Sequence, residues 1–268
     1  MKKYASSFVF GLIDSTTKAI AYRRAAFDEY LRCGGFPELL QRKNKANYIG
    51  TLVNSILKRD IEQRYKIKYI DAFEKLAQHL MNIVPTIVVE SKLVSIVGLK
   101  SNHTINNYLS FLKEAYLLIG VKKFSTKSRL RIRSEKLYPI DVALMDARPD
   151  AFVGENFGWR LETVVLIELL RRNRMLNQDI YYYKSANGYE ADFVVCKNNI
   201  VKEIYQVLYD ISKEKTFNRE IRGLMEASEE TKCNNLFLIT DFHHEDILKN
   251  GKTIHIIPAH EWLLETAS

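Results

Sequence analysis

Gly188-Tyr189-Glu190-Ala191-Asp192-Phe193-Val194-Val195, followed a few residues later by Ile204-Tyr205-Gln206-Val207-Leu208, is the stretch that decides the architecture of this chain. Tyr181 to Lys184, Ala191 to Cys196 and Ile204 to Leu208 are three apolar, β-branched or aromatic runs. They are separated by Ser185-Ala186-Asn187-Gly188 and by Lys197-Asn198-Asn199, which are turn compositions, so the pattern predicts a three-stranded meander. Asp192 and Gln206 sit inside the second and third strands among apolar neighbours, where a polar side chain is paired or serves a site. A carboxylate beside an amide oxygen offers hard oxygen ligands of the kind Mg²⁺ or Mn²⁺ takes, and such an ion holds a phosphate and lowers the pKa of a bound water. The preceding helix, read as Phe157 to Arg172, brings two further carboxylates, Glu162 and Glu168, either of which could face the strands.

These residues resemble the PD-(D/E)xK nuclease-like superfamily, with its restriction-endonuclease-like α/β fold, a helix glutamate, a strand aspartate and a (D/E/Q)xK strand. Glu162, Asp192 and Gln206 match the first three positions, and Leu208 stands where the pattern has lysine. In the family that lysine positions or activates the attacking water. The resemblance therefore implies a degenerate, non-cleaving site with Glu162, Asp192 and Gln206 as the Mg or Mn ligands, were one bound. The alternative is an active Mg- or Mn-dependent nuclease in which Lys184, at the end of the first meander strand, is a relocated lysine.

A chain of 268 residues with 47% hydrophobic residues has the length for two domains of ordinary size. No run of about 18 uncharged apolar residues is present, so no membrane partner is expected. The apolar patch after Met1-Lys2-Lys3 stops at Asp14, and Cys33, Cys196 and Cys233 form no CxxC pair. Both features fit a cytoplasmic protein without disulfides or structural zinc. The net charge of +8 suits a nucleic-acid partner without requiring one.

Toward the N-terminus, Tyr22 to Leu40 reads as helical, interrupted by Gly34-Gly35-Phe36-Pro37, and Asn47 to Tyr65 reads as an amphipathic helix. Phe27-Asp28-Glu29-Tyr30-Leu31-Arg32-Cys33-Gly34-Gly35-Phe36-Pro37-Glu38, with Ile56-Leu57-Lys58-Arg59-Asp60-Ile61, is similar to the segment after the ATPase core in a large family of bacterial and archaeal AAA-type ATP-binding proteins. In that family the ATPase module is followed by a winged helix and a nuclease-like C-terminal domain of unknown function. The resemblance implies a helical segment over 1–66, a winged helix over 67–147 and a PD-(D/E)xK nuclease-like domain over 148–268. A phosphate-cradling loop needs glycine, four residues, then Gly-Lys-Ser/Thr. The sole Gly-Lys-Thr is Gly251-Lys252-Thr253, with Asp at 246, so it reads as a turn and ATP is not expected to bind this chain alone.

In the middle of the chain, Asp71 to Ile83 reads as a helix. Ser91 can cap a short helix that Gly98 stops, and Ser101 or Asn102 caps a longer one through Ala115. Helix, tight turn and second helix make a helix-turn-helix pattern, and the strands Leu118 to Phe124 and Lys136 to Ile140 that follow complete a winged helix. Such a module places Asn102, His103, Asn106 and Asn107 for base contact and Lys123, Lys127, Arg129, Arg131 and Arg133 for phosphate, making DNA the expected partner. Winged helices also dock proteins, so an interaction module, including self-association or a separate ATPase module, is the other reading. The final region reads as a helix over Lys213 to Glu229 capped by Ser212, strands Asn235 to Thr240 and Thr253 to Ile257, and a short helix near Trp262. His243-His244-Glu245-Asp246 lacks the one-face spacing of a zinc helix and reads as a solvated loop, and His79 and His255 read as packing residues.

Overall fold

The computed structural model describes residues 17–125, 134–147, 156–172 and 174–264, which form a mixed α/β protein with helices first and sheets after. Helix α1 (Thr17–Cys33) ends at Gly34, whose φ of +79° is left-handed. The glycine pair has a second reason. A Cβ on Gly34 would lie 2.0 Å from Asp141 Oδ1, and the Gly35 N–H donates to Asp141 Oδ2 at 2.9 Å, so the Asp141 carboxylate occupies the space side chains would need.

A single 3₁₀ turn (Pro37–Gln41) leads to α2 (Lys45–Ser55), capped by Asn44, whose side chain accepts from the Asn47 N–H. This helix runs on through a π-helical stretch (Ile56–Glu62) to Tyr65, so the predicted Asn47 to Tyr65 helix is present with one widened turn. Helices α3 (Ile70–Ile83), α4 (Glu90–Val97) and α5 (Asn102–Glu114) follow. Gly98 terminates α4 in the left-handed region, and Ser101 caps α5 by accepting from the Thr104 N–H. Ser91 is not the cap of α4: the helix starts one residue earlier, after Val89, with no side-chain cap.

Strands β1 (Thr86–Ile87), β2 (Leu118–Lys122) and β3 (Glu135–Pro139) make a small antiparallel sheet in the order β1-β3-β2. Its two faces serve two cores. Leu118 and Leu137 pack with the apolar faces of α2 to α5, whereas Ile119, Val121 and Tyr138 pack with α1, with α6 (Phe157–Arg171) and with the larger sheet. By the strand alternation, Lys136 shares the second face with Tyr138.

The larger sheet has six strands in the order β4-β5-β6-β7-β9-β8. β4 (Ile180–Lys184), β5 (Glu190–Lys197) and β6 (Ile200–Val207) form the antiparallel meander read from sequence. β7 (Leu236–Thr240) runs parallel to β6, with α7 (Glu214–Thr231) as the crossover, and β9 (Lys252–Pro258) runs parallel to β7. Helix α7 starts after Lys213, and Ser212 does not cap it; the Ser212 N–H is held by Asp210 Oδ1 at 2.9 Å. β8 (Glu245–Lys249) is a correction to the sequence reading, since the segment from Glu245 is an antiparallel edge strand on β9 rather than a loop. A last turn, α8 (Ala259–Trp262), packs its tryptophan into the core beneath Tyr205.

Helix α6 covers one face of the sheet and α7 the other. Arg160 of α6 is the clamp between regions: it is buried, paired with Asp146, and donates to the backbone oxygens of Arg32 and Val142. No helix of the described residues is long and apolar enough to cross a membrane.

Candidate functional site

The antiparallel register sets Phe193 opposite Tyr205, so Asp192 and Gln206 are brought side by side at the end of the meander nearest α7. The Asp192 N–H donates to Gln206 Oε1 at 3.2 Å, and the Val207 N–H donates to Asp192 Oδ2 at 3.0 Å. Glu162 comes in from α6 to line the same cavity, and all three side chains are buried. Glu168, one and a half turns further along α6, is held instead by Arg172 at 3.1 Å and Arg171 at 3.3 Å on its own helix, so the helix glutamate of this site is Glu162.

A lysine does stand on these carboxylates, but it is neither residue 208 nor Lys184. Lys136 of β3 places Nζ 2.6 Å from Glu162 Oε1 and 2.9 Å from Asp192 Oδ1, with 7% of the residue exposed. Tyr138, two residues on and therefore on the same strand face, donates its hydroxyl to Glu162 Oε1 at 2.6 Å. The small sheet thus inserts an ammonium and a phenol into an acidic pocket built by the larger sheet. Lys184 lies at the pocket mouth, where it pairs with Glu190 at 2.6 Å and is 40% exposed. Leu208 turns to the apolar core under α7.

The electrostatics follow from burial. Desolvation opposes the charge on Lys136, but Asp192 and Glu162 more than offset it and hold its pKa well above the ordinary lysine value. Burial, then the Asp192 charge, push the Glu162 carboxyl up to about 7 against the pull of Lys136 and Tyr138. A proton on Glu162 removes a charge that its burial, and then the neighbouring Asp192, disfavour.

Sequence reasoning missed Glu220 as well. It lies on α7 and accepts from Gln206 Nε2 at 2.7 Å, and burial raises its pKa, with Asp192 adding to the rise and the Arg219 beside it opposing. These groups line an open cavity of about 790 Å³ with Lys184, Lys213 and Arg219 at its rim and Trp159 and Tyr189 among its walls.

The cavity residues do not fit a divalent ion as arranged. The space between Glu162 and Asp192 holds the Lys136 ammonium, and the Gln206 oxygen already accepts from the Asp192 N–H. Among the described residues no three His, Cys, Asp or Glu side chains come together as a metal set.

The second group of candidates lies on α5. Asn102, His103, Asn106 and Asn107 are all exposed on one side of its first two turns, while Ile105, Tyr108, Leu109 and Leu112 are buried on the other. Lys123 runs beside Tyr182 of β4, so it sits where the two sheets meet. Lys127, Arg129, Arg131 and Arg133 lie outside the described residues. His255 is correctly a strand residue, but its ring is 42% exposed and bonds Asp246 Oδ1 at 2.8 Å rather than packing inside.

A family model described as a domain of unknown function (DUF8612) matches residues 24–151, a span that holds α5 and Lys136 and stops before Glu162. An uncharacterized protein of Methanocaldococcus jannaschii is 32% identical over 250 residues, covering 88% of this chain and 55% of that protein. An uncharacterized protein of Haemophilus influenzae is 26% identical over 245 residues, covering 89% of this chain and 58% of that protein. The chain therefore spans little more than half the length of these curated relatives. No solved structure matches it.

Proposed function

We propose that this chain is a DNA-binding part of an AAA-type ATP-binding protein, with a winged helix over α3 to β3 and a PD-(D/E)xK nuclease-like layer that does not cut. The observation that carries the DNA reading is the exposed polar face of α5. Asn102, His103, Asn106 and Asn107 present amide and imidazole groups at the helix N-terminal end, the end that reads base edges in a helix-turn-helix. By sequence, the segment joining β2 to β3 adds Lys127, Arg129, Arg131 and Arg133 for the phosphates. The nuclease-like reading of the six-stranded layer rests on Glu162, Asp192 and Gln206 converging from a helix and two adjacent strands. The non-cutting character rests on Lys136 filling the space between the two carboxylates. The relatives, which extend well beyond the stretch they share with this chain, leave room for an ATPase module.

The test is fluorescence anisotropy of a labelled duplex across a salt series. DNA binding through the wing predicts an affinity that falls steeply with salt, and Arg129→Gln with Arg131→Gln lowers the slope by about 0.9 for each phosphate no longer neutralised. Absence of binding at low salt moves the reading to a protein partner.

The position of Lys136 also favours a second reading, an active Mg- or Mn-dependent nuclease. The Lys136 ammonium is 2.9 Å from the strand aspartate, whereas Lys184 pairs with Glu190 at the cavity mouth, so in this reading Lys136 rather than Lys184 would be the relocated residue. That reading requires duplex cleavage with Mn²⁺ that is abolished by both Asp192→Ala and Lys136→Met.

A further inference from the structure

We infer that Lys136 is a built-in cation of the acidic pocket: its ammonium takes the place of a divalent ion between Glu162 and Asp192, and the pocket admits no such ion while Lys136 is there. This rests on the nuclease-like reading of the larger layer and concerns how that site is regulated.

The first ground is occupancy. Nζ lies 2.6 Å and 2.9 Å from the two carboxylate oxygens that face each other across the pocket, so a metal and this ammonium cannot share the space. The second is that three of the neighbouring oxygens already accept hydrogen bonds from the protein. Asp192 Oδ2 accepts from the Val207 N–H, Glu162 Oε1 accepts also from the Tyr138 hydroxyl, and Gln206 Oε1 accepts from the Asp192 N–H. A Mg²⁺ or Mn²⁺ ion needs a shell of about six oxygens at about 2.0–2.2 Å, and here it would have to take them from existing partners. The third is that Lys136 has nowhere better to go. It stands on the central strand of the small sheet, opposite Ile87 on one side and Val121 on the other, so its backbone is held from both edges.

The consequence is a site whose metal competence is set by a residue of the other sheet. Whatever withdraws β3 from the pocket uncovers two carboxylates with no cation between them, and the same motion frees the Glu162 oxygen from Tyr138.

The experiment is a Mn²⁺ titration of the full chain, reading free Mn²⁺ by electron paramagnetic resonance, with no DNA present. Four proteins are compared: the unaltered chain, Asp192→Asn, Lys136→Met and Lys136→Met with Asp192→Asn. The expected result is that the unaltered chain and Asp192→Asn bind Mn²⁺ equally weakly. Lys136→Met gains one site on the order of a hundredfold tighter, as removal of a unit positive charge from the ion's own position implies, and the double variant loses it. A site in the unaltered chain that Asp192→Asn abolishes overturns the inference without any need for the lysine variant to fold. So does a Lys136→Met protein that melts cooperatively yet gains no site. Neither result touches the anisotropy measurement, so failure here and failure of the DNA reading are told apart.

Discussion

The pocket around Lys136 and the corner around Asp241 belong to the same sheet layer and bury the same kinds of side chain, yet one is closed on itself and the other is not. In the pocket, Lys136, Glu162, Asp192 and Gln206 leave no buried polar atom unpartnered. At the corner after β7, Asp241 is as buried as Asp192, but its nearest cation, Arg24, stands at 3.5 Å on a side chain that is 45% exposed. Among the described residues Asp241 Oδ1, His243 Nδ1 and His260 Nδ1 have no hydrogen-bond partner. The same burial cost is thus met at the pocket by a buried lysine and a tyrosine and left partly unmet at the corner. A polar group put inside a protein is worth what its partners make of it, so removing a partner should matter at the first place and little at the second.

The largest expected effect is at Lys136. Lys136→Met leaves two carboxylates facing each other in a buried site and should cost about 3–5 kcal/mol of stability, read by urea unfolding. A loss under about 1 kcal/mol would show that solvent in the cavity already screens the pair. Next is Tyr138→Phe, which removes one donor from Glu162 while keeping the ring in its core and should cost about 1–3 kcal/mol. Against both stands Asp241→Asn, which discharges a buried carboxylate whose partner is distant and exposed. Its effect should lie within about 1 kcal/mol of zero and is as free to stabilise as to destabilise. A loss at Asp241 equal to that at Lys136 would erase the contrast.

Much of the pocket was legible in the sequence, its decisive part was not, and nothing in the sequence marked the Asp241 corner. Asp192 and Gln206 announced themselves because each interrupts an apolar strand, and adjacent strands with a short turn between them have few registers available. Glu162 followed from the helix beside them. Lys136 was hidden by its surroundings, since in sequence it reads as the last member of a basic run, and its partner Asp192 lies 56 residues away on another sheet. A signal did exist in Lys136-Leu137-Tyr138, where a lysine and a tyrosine share one face of a strand and Leu137 takes the other. The edge strand β8 was missed for the opposite reason. Glu245-Asp246-Ile247-Leu248-Lys249 is exposed almost throughout, so it carries no buried alternation and is held by its ladder to β9 alone. At the starts of α4 and α7, serines that could have capped stand one residue inside or two residues before the helix, because tertiary packing set the boundary.

The smallest effect sharpens the comparison through pH. Glu162 has its folded pKa raised to about 7 from an ordinary 4.5, so the folded state binds more protons in that window and its contribution to stability is lost as pH rises through it. His260 has its pKa lowered, chiefly by burial, so its contribution is present above about 6.5 and is lost as pH falls. Measured as melting temperature between pH 5 and 7, the difference between the unaltered chain and Glu162→Gln should fall with rising pH. The difference from His260→Gln should rise. Two slopes of one sign would mean that the pocket and the corner are not set up in opposite ways.

The claim that Lys136 stands in for a divalent ion is tested most directly by crystals of the chain and of its Lys136→Met variant soaked in Mn²⁺ and read by anomalous scattering. The prediction is no anomalous peak between Glu162 and Asp192 in the unaltered chain, with the ammonium in contact with both, and a peak at that position in the variant. A manganese ion beside Asp192 in the unaltered chain would contradict it.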